Sequence, residues 1–93
     1  MKEYTINFTG VKTVWYFYEA IIKGLEVPEW CGKNLDALWD ILTGFIDAPA
    51  VVYFKGVNKL PNELQEEMED ILRVFTRAVN WYDEGEFEFE IID

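Results

Sequence analysis

Asp36 and Asp40 stand four residues apart in the segment EWCGKNLDALWDILTGF, with Trp39 between them. On a helix that spacing places both carboxylates on one face. A carboxylate pair can serve as acid and base in glycoside hydrolysis. Nothing in the segment would raise the pKa of one partner, however, and a chain of 93 residues offers little cleft. Other chemistries lack their parts. The chain has no histidine, so neither a Ser–His–Asp nor a Cys–His nucleophile system can be assembled. One cysteine, Cys31, leaves no zinc ligand set and no internal disulfide; it reads as a passive thiol. FTGVKT matches neither a phosphate-binding loop nor a dinucleotide fingerprint. Glu86, Glu88 and Glu90 lack the clustered oxygen ligands of a calcium loop. The sequence therefore reads as a non-enzyme with no cofactor and no metal, a carboxylate-pair hydrolase being the minor alternative.

Charge points to binding instead. Eighteen acidic and eight basic residues give a net charge of −10. Such a surface repels phosphate backbones and anionic lipid, which argues against nucleic-acid and membrane partners. It speeds encounter with a basic protein. Four tryptophans, five tyrosines and seven phenylalanines are enough for one core, so residues 1–93 read as a single domain without staples. MKEYTINF lacks the apolar run of a signal peptide. No stretch approaches the roughly 20 apolar residues of a membrane span. The default location is the cytoplasm.

The elements that must position the aspartates follow from periodicity. YTINF alternates and predicts a first strand over Tyr4–Phe8. Thr13 is an N-cap candidate for a helix over Val14–Lys23 that Gly24 stops, with Val14, Phe17, Ile21 and Leu25 facing the core. Trp15, Tyr18 and Ile22 form a second stripe. If exposed, it is the surface a weak homodimer would use, although a monomer is expected. A second helix is expected over Asn34–Leu42, with Gly44 closing it in the left-handed conformation. PAVVYF reads as a buried parallel strand. KLPNELQEEMEDILRVFTRAVNWY is the longest helix, with Pro61 in its first turn and Leu64, Met68, Ile71, Leu72, Phe75 and Val79 as its apolar stripe. EFEFEII alternates strictly and predicts an edge strand guarded by its glutamates. The order β-α-α-β-α-β predicts an α/β fold with a small parallel three-stranded sheet packed with helices.

At 100° per residue, Leu35, Leu38, Ile41 and Leu42 share the core-facing arc of the second helix, while Asp36, Asp40 and Thr43 fall within about 60° of one another on the other side. Trp39 lies at the border. Acids on an outer face need no explanation beyond solvation, but the contrast with the long helix is informative. There, Glu63, Glu66 and Glu67 come early and Arg73 and Arg77 late, as the helix dipole prefers. The short helix keeps two acids and no base, an arrangement that suits a cationic cleft on another protein.

The run VPEWCGKNLDALWDILTGF resembles the signature of the barstar family, intracellular inhibitors of barnase-type ribonucleases. The matching positions are Pro28, Glu29, Gly32, Asn34 to Asp40, Leu42, Thr43 and Gly44. ILRVFTRA followed by Glu84-Gly85 resembles the family's last helix and turn. The resemblance implies a barstar-like fold and inhibition by mimicry, with a basic barnase-like extracellular or toxin ribonuclease as partner. Asp40 matches the aspartate that occupies the nuclease's phosphate site, and Asp36 matches a second acid at the cleft. Trp30 takes the place of a tyrosine that packs over the nuclease's catalytic histidine. Asn34, Trp39, Thr43 and Gly44 match contact or supporting positions, and Phe45 replaces an aromatic neighbour. Two positions depart from the family: Cys31 stands where a tyrosine is usual, and Arg77 where another interface glutamate is. Either the partner differs at that edge or a neighbouring acid such as Glu84 compensates. The alternative is a barstar-fold binding module for a different basic partner or toxin.

Overall fold

The computed structural model describes residues 1–93. Three strands, β1 (Lys2–Asn7), β2 (Ala50–Lys55) and β3 (Phe87–Ile91), form one parallel sheet in the order β1-β2-β3. Three helices connect them: α1 (Val14–Gly24), α2 (Leu35–Gly44) and α3 (Gln65–Trp81). The β-α-α-β-α-β order is as the sequence predicts.

Strand register explains which face is buried. Tyr4 pairs with Val52 and Val52 with Phe89; Ile6 pairs with Phe54. These rows and Ala50 and Phe87 point into a core of 24 buried residues that also takes Phe17, Ile21, Leu38, Leu42, Ile71 and Phe75 from the helices. Rings interlock across it: Phe8 stacks on Phe17 at 4.9 Å, and Phe54 meets Phe75 edge-on at 4.9 Å. No polar or charged residue is buried. The other face of the sheet carries Glu3, Thr5, Asn7, Glu88 and Glu90, all exposed. β2 is thus covered by helices on one face only, rather than on both as its apolar run suggested.

Several local expectations change. Val14 is 45% exposed rather than in the core, because it is the first helical residue, ahead of the turn that meets the sheet at Phe17. Tyr18 and Ile22 are buried, so the proposed exposed stripe on α1 reduces to Trp15. Their side of the helix is occupied: α3 brings Glu67 and Asp70 towards Tyr18, and the chain folds back so that the Val27 N–H reaches the Ile22 carbonyl at 3.3 Å. Gly24 ends α1 for a different reason than its conformational freedom. A Cβ there would lie 2.6 Å from the Thr5 carbonyl oxygen, so the residue must be glycine for α1 to touch β1. The left-handed step falls at Glu26, with φ 58°. α3 begins at Gln65, because Pro61 instead caps a single 3-10 turn over Asn62–Leu64. Val74 and Ala78 join its buried stripe.

Candidate functional site

The local sequence sets the start of α2. Asn34 is its N-cap rather than its first residue: Oδ1 accepts the Ala37 N–H at 2.8 Å, satisfying one of the free donors of the first turn. Asp36 sits in that first turn, where the helix dipole favours an acid. Asp40 follows one turn later, and both side chains are exposed. The chain makes three ion pairs, Lys2–Glu26, Lys33–Glu19 and Arg73–Asp70, and none of them involves Asp36 or Asp40. Two like charges therefore face solvent with no base of the chain within ion-pair distance.

At its C-terminal end α2 runs further than expected. Gly44 is its last residue and is not left-handed, and Phe45 is the cap, its N–H bonding the Ile41 carbonyl. A Cβ on Gly44 would meet nothing within 4 Å. The Thr43 hydroxyl donates back to the Trp39 carbonyl at 2.8 Å, and the Tyr82 hydroxyl, arriving from the end of α3, donates to the Leu42 carbonyl. The Tyr82 bond occupies a carbonyl that the helix end otherwise leaves free. Burial holds the Tyr82 phenol above its ordinary range, with Tyr4 adding to the shift.

Aromatic groups frame the acids. Trp39, half-buried, meets Trp81 edge-on at 6.3 Å, and the Arg77 guanidinium lies over its ring at 4.6 Å. Trp30, 76% exposed, packs edge-on against Phe45 at 6.2 Å. The residues preceding α2 are thereby brought beside the helix's far end.

The Trp30 loop is anchored from both sides. Cys31 is buried, which fits a passive thiol, and its N–H closes a turn on the Pro28 carbonyl at 3.1 Å. Gly32 passes so near α2 that an added Cβ would be 3.0 Å from that of Ala37. Lys33 bonds Glu19 at 3.2 Å and lies over the Trp15 ring at 4.2 Å, tying the loop to α1.

Trp30, Asn34, Asp36, Trp39, Asp40, Thr43 and Gly44 thus lie along α2 and the loop that feeds it. Glu84 is exposed in the turn after α3 and makes no hydrogen bond or ion pair. Its link to the face is through the chain alone, three residues on from Trp81. Trp81, Tyr82, Lys33 and Trp15 were not legible as parts of the site. The first carried a signal, since Val74, Ala78 and Trp81 recur at helical spacing on the side of α3 that meets α2.

A parallel three-stranded sheet with this helix order, bearing two acids and a tryptophan on its second helix, defines a small α/β protein of the barstar-like class. A family model described as "Barstar (barnase inhibitor)" matches residues 1–93. A Bacillus subtilis (strain 168) protein named "Putative ribonuclease inhibitor YrdF" is 30% identical over 92 residues, covering 99% of this chain and 98% of its own. The chain belongs to the barstar family.

Proposed function

We propose that this protein is a ribonuclease inhibitor that blocks the active site of a basic, barnase-like extracellular or toxin ribonuclease with α2 and the loop before it. The carrying observation is the state of Asp36 and Asp40: both exposed, neither in an ion pair, on a helix whose ends are held by Asn34 and Tyr82. Family membership supports a role of this kind. In this reading Asp40 takes the place of a substrate phosphate among the nuclease's cations, and Asp36 pairs with bases at the edge of the cleft. Trp30 and Phe45 cover apolar surface beside it. Trp39 is the central anchor, Thr43 and Gly44 let the partner approach the helix end, and Glu84 adds a charge at the rim. The protein itself performs no reaction. It acts in the cytoplasm, where its charge speeds encounter and its buried pairs slow dissociation.

The test is titration of a panel of barnase-type ribonucleases with the purified protein, reading residual RNA cleavage. Stoichiometric inhibition that depends on Asp40 is expected. Binding without loss of cleavage would assign the same face to a different basic partner.

A further inference from the structure

A groove of about 540 Å³ runs between α2 and α3, with Asp36 and Asp40 on one wall and Arg73 and Arg77 on the other. Its two arginines are in different states. Arg73 donates to Asp70 at 2.8 Å and is neutralised within the chain. Arg77 has no carboxylate within ion-pair distance. Its guanidinium carbon lies over the ring of Trp39, the residue between the two acids, at 4.6 Å from the centroid. Its N–H donors make no side-chain hydrogen bond or ion pair within the chain, and a guanidinium can grip a carboxylate with two parallel bonds.

Any protein that covers Trp39 also covers Arg77. Covering a cation without a counter-charge is strongly unfavourable. Asp36 and Asp40 line the same groove but make no ion pair with Arg77 in the free chain, and in the proposed complex they are engaged by the partner's bases.

We infer that Arg77 is a specificity-determining residue that receives a carboxylate of the partner, so the fitting ribonuclease carries an acidic side chain beside its basic cleft. This rests on the inhibitor reading and adds to it the charge pattern of the partner's rim. A second copy of the chain is a poor occupant, since it would bring −10 against −10.

The experiment titrates the same ribonuclease panel with the wild type, Asp40→Ala, Arg77→Gln and Arg77→Glu, each checked for native circular dichroism. For nucleases that the wild type inhibits, Arg77→Gln should weaken inhibition about 5- to 20-fold and Arg77→Glu at least about 100-fold. Scanning the nuclease's acids to their amides should find one that couples to Arg77→Gln by at least about 5-fold in a double-mutant cycle. Inhibition that falls with Asp40→Ala but is unchanged or tighter with Arg77→Glu overturns this inference alone. So does a loss with Arg77→Gln that no nuclease acid shares, which makes Arg77 only a support for Trp39. So does self-association of the wild type that Arg77→Gln abolishes. No inhibition of any nuclease overturns the inhibitor reading and this inference with it.

Discussion

Two acidic surfaces of similar composition lie on this molecule: Asp36 and Asp40 on α2, and Glu88 and Glu90 on β3. All four side chains are exposed, and none is in an ion pair. Large apolar side chains stand near both, Trp30 and Phe45 by the first, Ile91 and Ile92 by the second. What differs is the frame. β3 is an edge strand, and acids along an edge keep other strands from pairing with it. On α2, by contrast, the acids flank an indole held by Trp81 and Arg77, on a helix capped at one end by Asn34 and tied at the other by Tyr82. The charge is alike on the two surfaces; the fixed aromatic setting around it is what sets the proposed binding face apart.

The comparison is most exposed to failure at its charges. Asp40→Ala is expected to weaken nuclease inhibition by at least ~100-fold, the range for truncating one member of a buried interfacial charge pair, barstar's own complex being among the cases behind it. Glu88→Ala should stay within about twofold, as surface charges outside a contact do. Inhibition constants for the two variants decide it; equal, small losses would remove α2 as the binding face.

The apolar neighbours give the next contrast. Trp30→Ala should cost about 10- to 50-fold in inhibition, the scale of an aromatic hot spot. Its melting temperature should hold, because the side chain is 76% exposed. Ile91→Ala should leave inhibition unchanged. Dissociation rates measured beside thermal melts separate the two; a Trp30 variant with unaltered dissociation would confine the interface to the helix.

Sequence patterns reached these elements unevenly, for identifiable reasons. Local periodicity placed all three strands and helices, and the wheel of α2 put Asp36, Asp40 and Thr43 on the face they occupy. Contacts between distant segments were out of its reach. Gly24 reads as a stop signal in isolation, whereas its constraint is the Thr5 carbonyl on another element. Tyr18 and Ile22 read as an open stripe because nothing in α1 announces that α3 and the chain after Gly24 cover it. Lys33 is an ordinary surface lysine until Glu19 and Trp15 are brought to it. At the candidate site the residue types were legible, and the supports that fix their geometry were not.

Those supports can be tested through Tyr82, which ties α3 to the end of α2 and has no counterpart against Glu88 and Glu90. Burial, and secondarily Tyr4, hold its phenol above the ordinary 10.0. The unfolded chain therefore loses that proton first, so this stability is complete below about pH 10 and declines as pH rises through the folded value. Burial likewise raises Tyr18, helped by Asp70 and Glu67. Tyr82→Phe should cost ~1 kcal/mol near neutral pH through the lost bond to Leu42. It should also lessen, without abolishing, the alkaline fall in stability. Urea melts across pH 7 to 11 provide the measurement, and an unchanged alkaline slope would deny Tyr82 this role.

The smallest effect separates the two regions most directly, because it asks what the charges do for the free protein. Asp36 and Asp40 repel across one helical turn, an interaction worth ~0.2–0.5 kcal/mol. No base of the chain lies within ion-pair distance of either acid, and the last turn of α2 carries none. Asp40→Asn removes one charge while keeping the shape, so the free protein should melt about 1–4 °C higher even as inhibition is lost. A lower melting temperature would mean that Asp40 supports α2 by itself, and the helix would then need no partner to account for its acids. Glu88→Gln should change neither quantity appreciably. A charge whose removal stabilises the fold and destroys binding is held in place by its partner, and that is the property the β3 acids are expected to lack.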